Sequence, residues 1–447
     1  MTKVITYGTF DLLHYGHQSL LRRAKALGDY LIVGVTSENY DRYRGKLNVQ
    51  QTLMERIENV RALGLADEIV VEEYEGQKID DITRMGVDIF TIGSDWVGRF
   101  DYLGEYCKVV YLERTKGISS TQLRDRQHPL IRLGVAGSGR IANRFIPESK
   151  FVSGVTVEGV FNPHVDSAQS FAQRHELAFY SGDYDSFLNR VNAVYIASPH
   201  ETHYDYARRA LGAGKHVLCE KPMVFTKEEA EELFALARKN HVILMEAVKT
   251  AYCPGFQRLV SCAKSGKIGR IVGVDATFTK LVPPHMREVQ DNGNGGSMTE
   301  LATYPLLAIF KLLGLQYEHV RFYSYFPQNG GVDLFTQIHM QYPGAVATAK
   351  VGLGVKSEGS LVISGTRGYI YVPAPWWKTE YFELRYENPN EVEKNFYKFS
   401  GDGLRYEITE FLTCIAEGRL DEGAGRLSIE LAGVMEQYRA GGVNRLS

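Results

Sequence analysis

The chain has 447 residues, 44% apolar and 23% charged, with 51 basic and 53 acidic side chains and a formal net charge of −2. At roughly 150 residues per domain that is material for about three domains, and the composition excludes a disordered or fibrous chain. No block of like charge marks a nucleic-acid or anionic-membrane surface, and no apolar run nears the ~20 residues of a membrane span. Five cysteines without a C-x-x-C argue against a disulfide framework or structural zinc site and for reduced thiols in a cytoplasmic enzyme. The opening residues show no basic segment followed by an apolar run, so no export signal is expected.

In chain order, an apolar strand over 3–7 leads into Gly8-Thr9-Phe10-Asp11 and a helix over 17–27. Further strands are expected at 30–35, 68–71, 89–93 and 109–112, with helices between, which argues for a parallel sheet. After a polar stretch at 124–129 a second series opens at 131, runs into Gly137-Ser138-Gly139, and continues with strands at 155–161, 193–197 and 216–219. From about 251 the texture changes to alternating aromatic and β-branched strands at 271–280, 320–326, 334–342, 345–352, 360–364 and 368–372. These read as a large, mostly antiparallel open sheet with one face covered by helices. Amphipathic helices at 404–417 and 428–440 close the chain. The expected fold is α/β: a Rossmann-like domain over 1–127, a dinucleotide-binding Rossmann domain over 130–250, and an α+β domain over 251–447 whose last helices return to the middle domain.

The first candidate site follows the first strand. His14 and His17 flank Gly16 and open a helix, where free N–H groups and the helix dipole favour phosphate oxygens. Gly93-Ser94-Asp95-Trp96 and Arg114-Thr115-Lys116-Gly117-Ile118-Ser119-Ser120-Thr121 follow later strands, the second placing a cation and hydroxyls at another strand-to-helix junction. With Glu55-Arg56, these motifs make residues 1 to about 127 resemble the glycerol-3-phosphate cytidylyltransferases, within the HxGH nucleotidyltransferases. The resemblance implies that Thr9, Phe10, His14 and His17 meet CTP, with the histidines on its phosphates. It puts Asp95 and Trp96 near the nucleoside, and Arg114, Ser119, Ser120 and Thr121 on the β,γ-phosphates. Arg44 and Lys46 would meet the acceptor's phosphate, in a loop poorer in lysine than the family's. Attack by a phosphate oxygen on the α-phosphorus needs positioning and charge stabilisation rather than a protein nucleophile. Mg²⁺ would arrive on the CTP phosphates, and no side-chain metal ligands stand out.

The second candidate site begins at Gly137-x-Gly139-x-x-Ala142, a glycine loop between strand and helix. The acidic ribose ligand expected ~20 residues on is missing, since the next strand ends Phe161-Asn162-Pro163-His164. That leans towards NADPH over NADH, with Arg140 in the loop able to help. Ala197-Ser198-Pro199-His200-x-Thr202-His203, Cys219-Glu220-Lys221-Pro222 and Gly295-Gly296-x-x-x-Glu300-x-x-x-Tyr304 follow. Together these motifs make the chain from about 130 onward resemble the Gfo/Idh/MocA oxidoreductases, such as glucose–fructose oxidoreductase. The resemblance puts Gly137, Gly139, Arg140, Ile141, Asn162, Ser198, Pro199, His200, His203, Glu220 and Lys221 around the cofactor, with the two histidines shaping the nicotinamide pocket. Tyr304 stands in the slot of the family's proton donor and Glu300 in that of an aspartate. A tyrosine with a pKa of ~10 needs a cation to lower it, and Lys221 is the expected cation. Arg287 is a candidate phosphate anchor for the substrate.

Fused, the two resemblances imply a bifunctional enzyme making a CDP-linked polyol for capsular or teichoic-acid-like polymers. Fructose 6-phosphate to a CDP-hexitol, dihydroxyacetone phosphate to CDP-glycerol, and ribulose 5-phosphate to CDP-ribitol are the alternatives, with either step first. A cytidylyltransferase with a non-catalytic dinucleotide-sensing domain is the competing reading. A homo-oligomer, dimer or tetramer, is expected through the open sheet face, with small molecules rather than nucleic acid or membrane as partners.

Overall fold

Apolar strands alternating with amphipathic helices build the first half of the molecule. The computed structural model describes residues 1–13, 15–43, 49–74, 76–113, 130–152, 154–327, 330–419 and 422–446. Two units form: Met1–Leu130 with Val152–Gly154, and Ile131–Phe151 with Val155–Ser447.

The first unit contains β1 (Lys3–Gly8), α1 (Tyr15–Lys25), β2 (Tyr30–Thr36), α2 (Glu38–Tyr43), α3 (Leu53–Ala62), β3 (Glu68–Glu72), α4 (Gln77–Met85), β4 (Ile89–Gly93) and β5 (Lys108–Leu112). The strands form a parallel sheet in the order β3-β2-β1-β4-β5. The order reverses between β1 and β4, so a crevice opens at their carboxyl ends, next to Gly8-Thr9 and Gly93-Ser94. Helix α3 starts with a capping box in which Thr52 and Glu55 satisfy each other's backbone N–H groups. Its inner face buries Arg56 beside Ile57 and Val60. The Arg56 guanidinium donates to the carbonyls of Thr9 and Thr36, both at 2.9 Å, and to Asp41 at 3.1 Å. The loops after β1 and β2 therefore share one buried cation.

The second unit begins with β6 (Ile131–Ala136), α5 (Arg140–Ser149), β7 (Val155–Phe161), α6 (Val165–His175), β8 (Phe179–Ser181), α7 (Tyr184–Leu188), β9 (Ala193–Ile196), α8 (His203–Gly212), β10 (His216–Glu220), α9 (Lys227–Lys239) and β11 (Leu244–Ala247). These strands form a parallel sheet ordered β11-β10-β9-β6-β7-β8. Its switch point lies between β6 and β9. There Gly137 has φ 111°, and a Cβ would stand 2.5 Å from the Ala197 carbonyl oxygen. Glycine is the residue that position admits.

The chain continues through α10 (Pro254–Lys264), β12 (Ile271–Thr279), α11 (Arg287–Gln290), α12 (Ser297–Leu301), α13 (Thr303–Leu313), β13 (His319–Tyr325), β14 (Phe335–Tyr342), β15 (Ala345–Gly352), β16 (Leu361–Gly365), β17 (Gly368–Val372), β18 (Tyr381–Tyr386), β19 (Val392–Phe396), α14 (Leu404–Glu417), α15 (Glu422–Arg439) and β20 (Val443–Leu446). The strands form one sheet ordered β19-β18-β17-β16-β12-β15-β14-β13-β20. Parallel pairing occurs at β12–β15 and β13–β20, and the other neighbours are antiparallel. Helices α12 and α13 pack on this sheet. Helix α14 packs on α5, where Arg405 grips Glu148 through two bonds of 2.7 and 3.0 Å, and α15 packs on α9 and α13.

Five strands escape the sequence pattern: β8, β11, β18, β19 and β20. Strand β8 spans three residues, β11 is buried throughout without alternation, and β20 is mostly exposed at an edge. Helix α15 begins at Glu422 rather than 428. Gly425 looks like a breaker, but it serves close packing, since a Cβ there would lie 3.3 Å from the Phe234 ring.

Candidate active sites

At the first switch point, Thr9 is buried and donates to Asp41 at 2.9 Å. Phe10 and Leu12 have φ of 54° and 46°, left-handed values that cost non-glycine residues energy and collect at functional turns. The turn is fixed from outside. Asp11 accepts the N–H groups of Gln50 and Gln51 at 3.1 and 3.0 Å, and the Leu12 N–H reaches Gln51 at 2.8 Å. His17, on α1, meets the Phe10 ring edge-on with centroids 5.5 Å apart. Trp96 ends a short turn after β4, with the Arg99 guanidinium 5.2 Å over its ring. Thr9, Phe10 and His17 thus come together beyond β1, and Trp96 follows the neighbouring strand. His14, Arg44, Lys46, Arg114, Ser119, Ser120 and Thr121 lie outside the described residues, as does the side chain of Asp95.

At the second switch point, Gly139 caps α5, and a Cβ there would meet nothing within 4 Å. Open backbone at a helix N-terminus suits a dinucleotide's pyrophosphate, so the loop fits the expected cofactor. Ile141 is partly buried in the first turn of that helix. Asn162 donates to Ser138 at 2.8 Å, so an amide holds the place of the usual ribose carboxylate. Arg140 differs from expectation: it is paired with the buried Glu288 of α11. An aid to a 2′-phosphate would have to leave that carboxylate first. Pro199 is exposed, and Ser198 accepts from Thr202 at 2.6 Å.

Lys221 leaves the end of β10 and donates to the Glu300 backbone carbonyl at 3.1 Å. Glu300 meets His200 at 3.1 Å. Burial alone would raise the Glu300 carboxyl, but the His200 hydrogen bond and the charges of Lys221, His200 and Arg287 hold it down at about 2. Glu220 accepts from the buried Tyr195 hydroxyl at 2.6 Å. His203 is buried between two carbonyls, Pro222 at 2.9 Å and Ser198 at 3.0 Å. Burial, with His200 nearby, lowers its pKa to about 4 although both carbonyls favour the protonated ring, and the neutral ring donates to only one of them.

The structure corrects the expectation for Tyr304. The Lys221 ammonium is 5.9 Å from the centre of its ring, yet the phenol is pushed up rather than down. Burial is the main cause, followed by Glu220, Glu407, Cys253 and Glu300. Arg287 is exposed and within electrostatic reach of Glu300.

Four residues passed over in the sequence also shape the site. Lys280 follows β12 and lies within electrostatic reach of Glu288, Glu300, Lys221 and Arg140. Asp333, buried and pushed up to about 6 by burial, accepts the Met298 N–H at 2.9 Å and so seats the helix that carries Glu300. Glu407 is fully buried, and neither carboxyl oxygen has a hydrogen-bond partner among the described residues. Glu246 accepts the Met223 N–H at 3.0 Å, one residue beyond Pro222. A charged residue on an otherwise apolar helix face or inside a buried strand is the signal that could have found Glu407 and Glu246. Among the described residues no cluster of three metal-ligating side chains occurs, and no helix is long and apolar enough to cross a membrane.

Comparison with known proteins separates the same two parts. Residues 5–126 match the cytidylyltransferase-like model, 131–248 the oxidoreductase family with an NAD-binding Rossmann fold, and 256–371 the GFO/IDH/MocA C-terminal domain. Glycerol-3-phosphate cytidylyltransferase of Bacillus spizizenii is 49% identical over 124 residues, covering 28% of this chain and 95% of the relative. The scyllo-inositol 2-dehydrogenase (NADP(+)) of Bacillus subtilis is 27% identical over 322 residues, covering 69% of this chain and 96% of the relative. A 3-ketoreductase from Actinomadura kijaniata, crystallised with NADP, superposes with a TM-score of 0.61 at 25% identity, covering 71% of this chain and 98% of that one.

The Glu246 carboxyl has a specific pH signature. Burial raises it from 4.5 to about 7. Between those values the folded chain binds more protons than the unfolded one, so stability falls as pH rises, by up to roughly 1.4 kcal/mol per pH unit. Glu246→Gln should flatten that part of the profile, and urea midpoints of both proteins from pH 5 to 8 check it.

Proposed function

Because the chain belongs over residues 5–126 to the cytidylyltransferase-like family and over 131–248 and 256–371 to the GFO/IDH/MocA oxidoreductases, we propose that it makes a CDP-activated polyol in two reactions. Functionally we divide it at 1–127, 130–250 and 251–447. The observation that carries the reading is the convergence of Lys221, Glu300, His200 and Tyr304 at the carboxyl end of β10. A domain that only sensed a dinucleotide has no need of an ammonium beside a phenol.

In the first reaction a phosphate oxygen of a sugar or polyol phosphate attacks the α-phosphorus of CTP. The bond to the β-phosphate oxygen breaks, and pyrophosphate leaves. His14, His17, Arg114, Ser119, Ser120 and Thr121 hold the phosphates, with Mg²⁺ arriving on them. Thr9, Phe10, Asp95 and Trp96 enclose the nucleotide, and Arg44 and Lys46 the acceptor's phosphate. In the second, a ketose phosphate or CDP-ketose is reduced. When bound, NADPH (or NADH) supplies the hydride. Gly137, Gly139 and Ile141 seat the pyrophosphate, and Asn162 leaves room for a 2′-phosphate. Tyr304 gives its phenolic proton to the carbonyl oxygen as that oxygen gains charge, and Lys221 steadies the charge. Burial and the neighbouring acids raise the Tyr304 pKa, which keeps the phenol protonated but makes it a weaker donor, so the charge of Lys221 on the forming alkoxide has to offset that cost. Glu300 fixes Lys221 through its carbonyl and His200 through its carboxylate. The product class fits capsular or teichoic-acid-like polymers, with a hexitol, glycerol or ribitol as the polyol.

The two activities should separate. His17→Ala should abolish CDP transfer and leave NAD(P)H oxidation intact when the carbonyl substrate is supplied. Lys221→Ala should do the reverse, and assay of both activities on both variants decides. Tyr304→Phe should lower kcat for reduction by ~10² to 10⁴ with cofactor Kd unchanged. Retention of more than about a third of kcat, with hydride transfer rate-limiting, removes Tyr304 from the role.

We also propose that two copies pair across the open face of the nine-stranded sheet, where Arg321, Tyr323, Gln337 and His339 line a broad groove. Sedimentation should give a mass well above the 50.3 kDa of one chain.

A further inference from the structure

Among the cations near the reductase site, Lys280 has no assigned work. The N–H of Lys280 bonds the Gly352 carbonyl at 2.9 Å, extending the β12 ladder by one residue. Side chains alternate along a strand, so Lys280 emerges on the same face as Phe278. Phe278 stacks on Trp377 with centroids 3.7 Å apart and lies 5.3 Å from the Tyr304 ring. Lys280 therefore continues an aromatic wall that ends at the phenol.

The charges there are uneven. Arg140 pairs with Glu288, Lys221 bonds the Glu300 carbonyl, and Lys280 and Arg287 lie within electrostatic reach of Glu300. Both carboxylates are already engaged, Glu288 with Arg140 and Glu300 with His200. The side chains of Lys280 and Arg287 have no ion pair or hydrogen bond among the described residues. Lys280 is partly buried, and a cation drawn out of water without a counter-ion is costly until an anion arrives. A neutral polyol would leave that cost in place, whereas a phosphate would offset it. The cofactor's phosphates have their own seat at the N-terminus of α5, beyond the glycine loop.

We propose that Lys280 anchors a phosphate group of the carbonyl substrate, with Arg287 as a second, outer cation. This rests on the reading of the second unit as a reductase and narrows it: the substrate enters already phosphorylated, and its anion sets where the carbonyl lies relative to Tyr304.

The test uses the full-length protein, with Lys280→Met to keep length without charge and Lys280→Arg to restore charge. NADPH oxidation is measured with fructose 6-phosphate, dihydroxyacetone phosphate, ribulose 5-phosphate and the unphosphorylated ketoses. Cofactor Kd is measured separately, and thermal stabilisation of the NADP-bound protein by inorganic phosphate is recorded. Lys280→Met should raise KM for the phosphorylated substrate about ten- to a hundredfold, with kcat within about threefold. The unphosphorylated ketose and cofactor Kd should be unaffected, and Lys280→Arg should recover most of the loss. An unchanged KM for the phosphorylated substrate overturns the proposal. So does a loss confined to cofactor Kd, which would give Lys280 to the dinucleotide. If no ketose phosphate is reduced, the reductase reading falls on its own. In that case phosphate stabilisation that disappears in Lys280→Met still upholds the anion site, and stabilisation equal in both proteins overturns it.

Discussion

The short turn from Glu220 to Met223 is the constraint on which the second unit is built. It aims one ammonium into a half-dry cleft, and an ammonium on a four-carbon stem stays aimed only if its backbone cannot move. The fold holds that backbone with buried polar groups from several elements. His203 of α8 meets the Pro222 carbonyl, Glu246 of β11 takes the Met223 N–H, and Glu300 of α12 offers its carbonyl to the Lys221 ammonium. Ser428 of α15 and Glu246 line one small enclosed cavity that also touches Pro222 and Thr303. Each contact leaves a costly orphan if its element is misplaced. The closing helix, remote in sequence, is thus part of what orients Lys221.

Both units open a crevice in one way. A parallel sheet reverses its strand order next to its first strand, and the loop after that strand supplies backbone to the crevice. They differ in how that loop is fixed. In the first unit a buried guanidinium, Arg56, bonds carbonyls from two loops, and left-handed Phe10 and Leu12 make the turn. In the second, Gly137 lies so close to Ala197 that steric fit alone sets the path.

Much of this was legible in the sequence because it depends on local pattern. The two glycine loops, the α/β alternation and the helix at 404–417 follow from periodicity and turn chemistry. The oxidoreductase motifs also converge in space: Lys221, Glu300 and Tyr304 meet although they are far apart in the chain. What was not legible depends on partners distant in sequence. Arg140 reads as a free cation until Glu288 is seen against it. Tyr304 reads as a phenol tuned by Lys221 until burial and the neighbouring acids are counted. Lys280 looks like the polar end of a strand, and nothing local says that it lies within electrostatic reach of Glu300. The edge strand β20 and the short β8 carry too little alternation to announce themselves.

Strand β12 pairs in parallel with β15, in register from Gly273 against Val346 to Thr279 against Gly352. Parallel neighbours cannot be joined by a hairpin, so the chain between them must travel out and back. That journey contains α12 and α13, and with them Glu300 and Tyr304. Tyr304, the phenol proposed as proton donor, therefore rides on the crossover that completes the middle of the sheet. During folding it has no fixed place until a pairing some seventy residues long in sequence closes, the kind of late, non-local contact that slows a folding reaction. A nascent chain that had not yet made β15 could own its glycine loop and its Lys221 and still have no fixed place for the Tyr304 phenol.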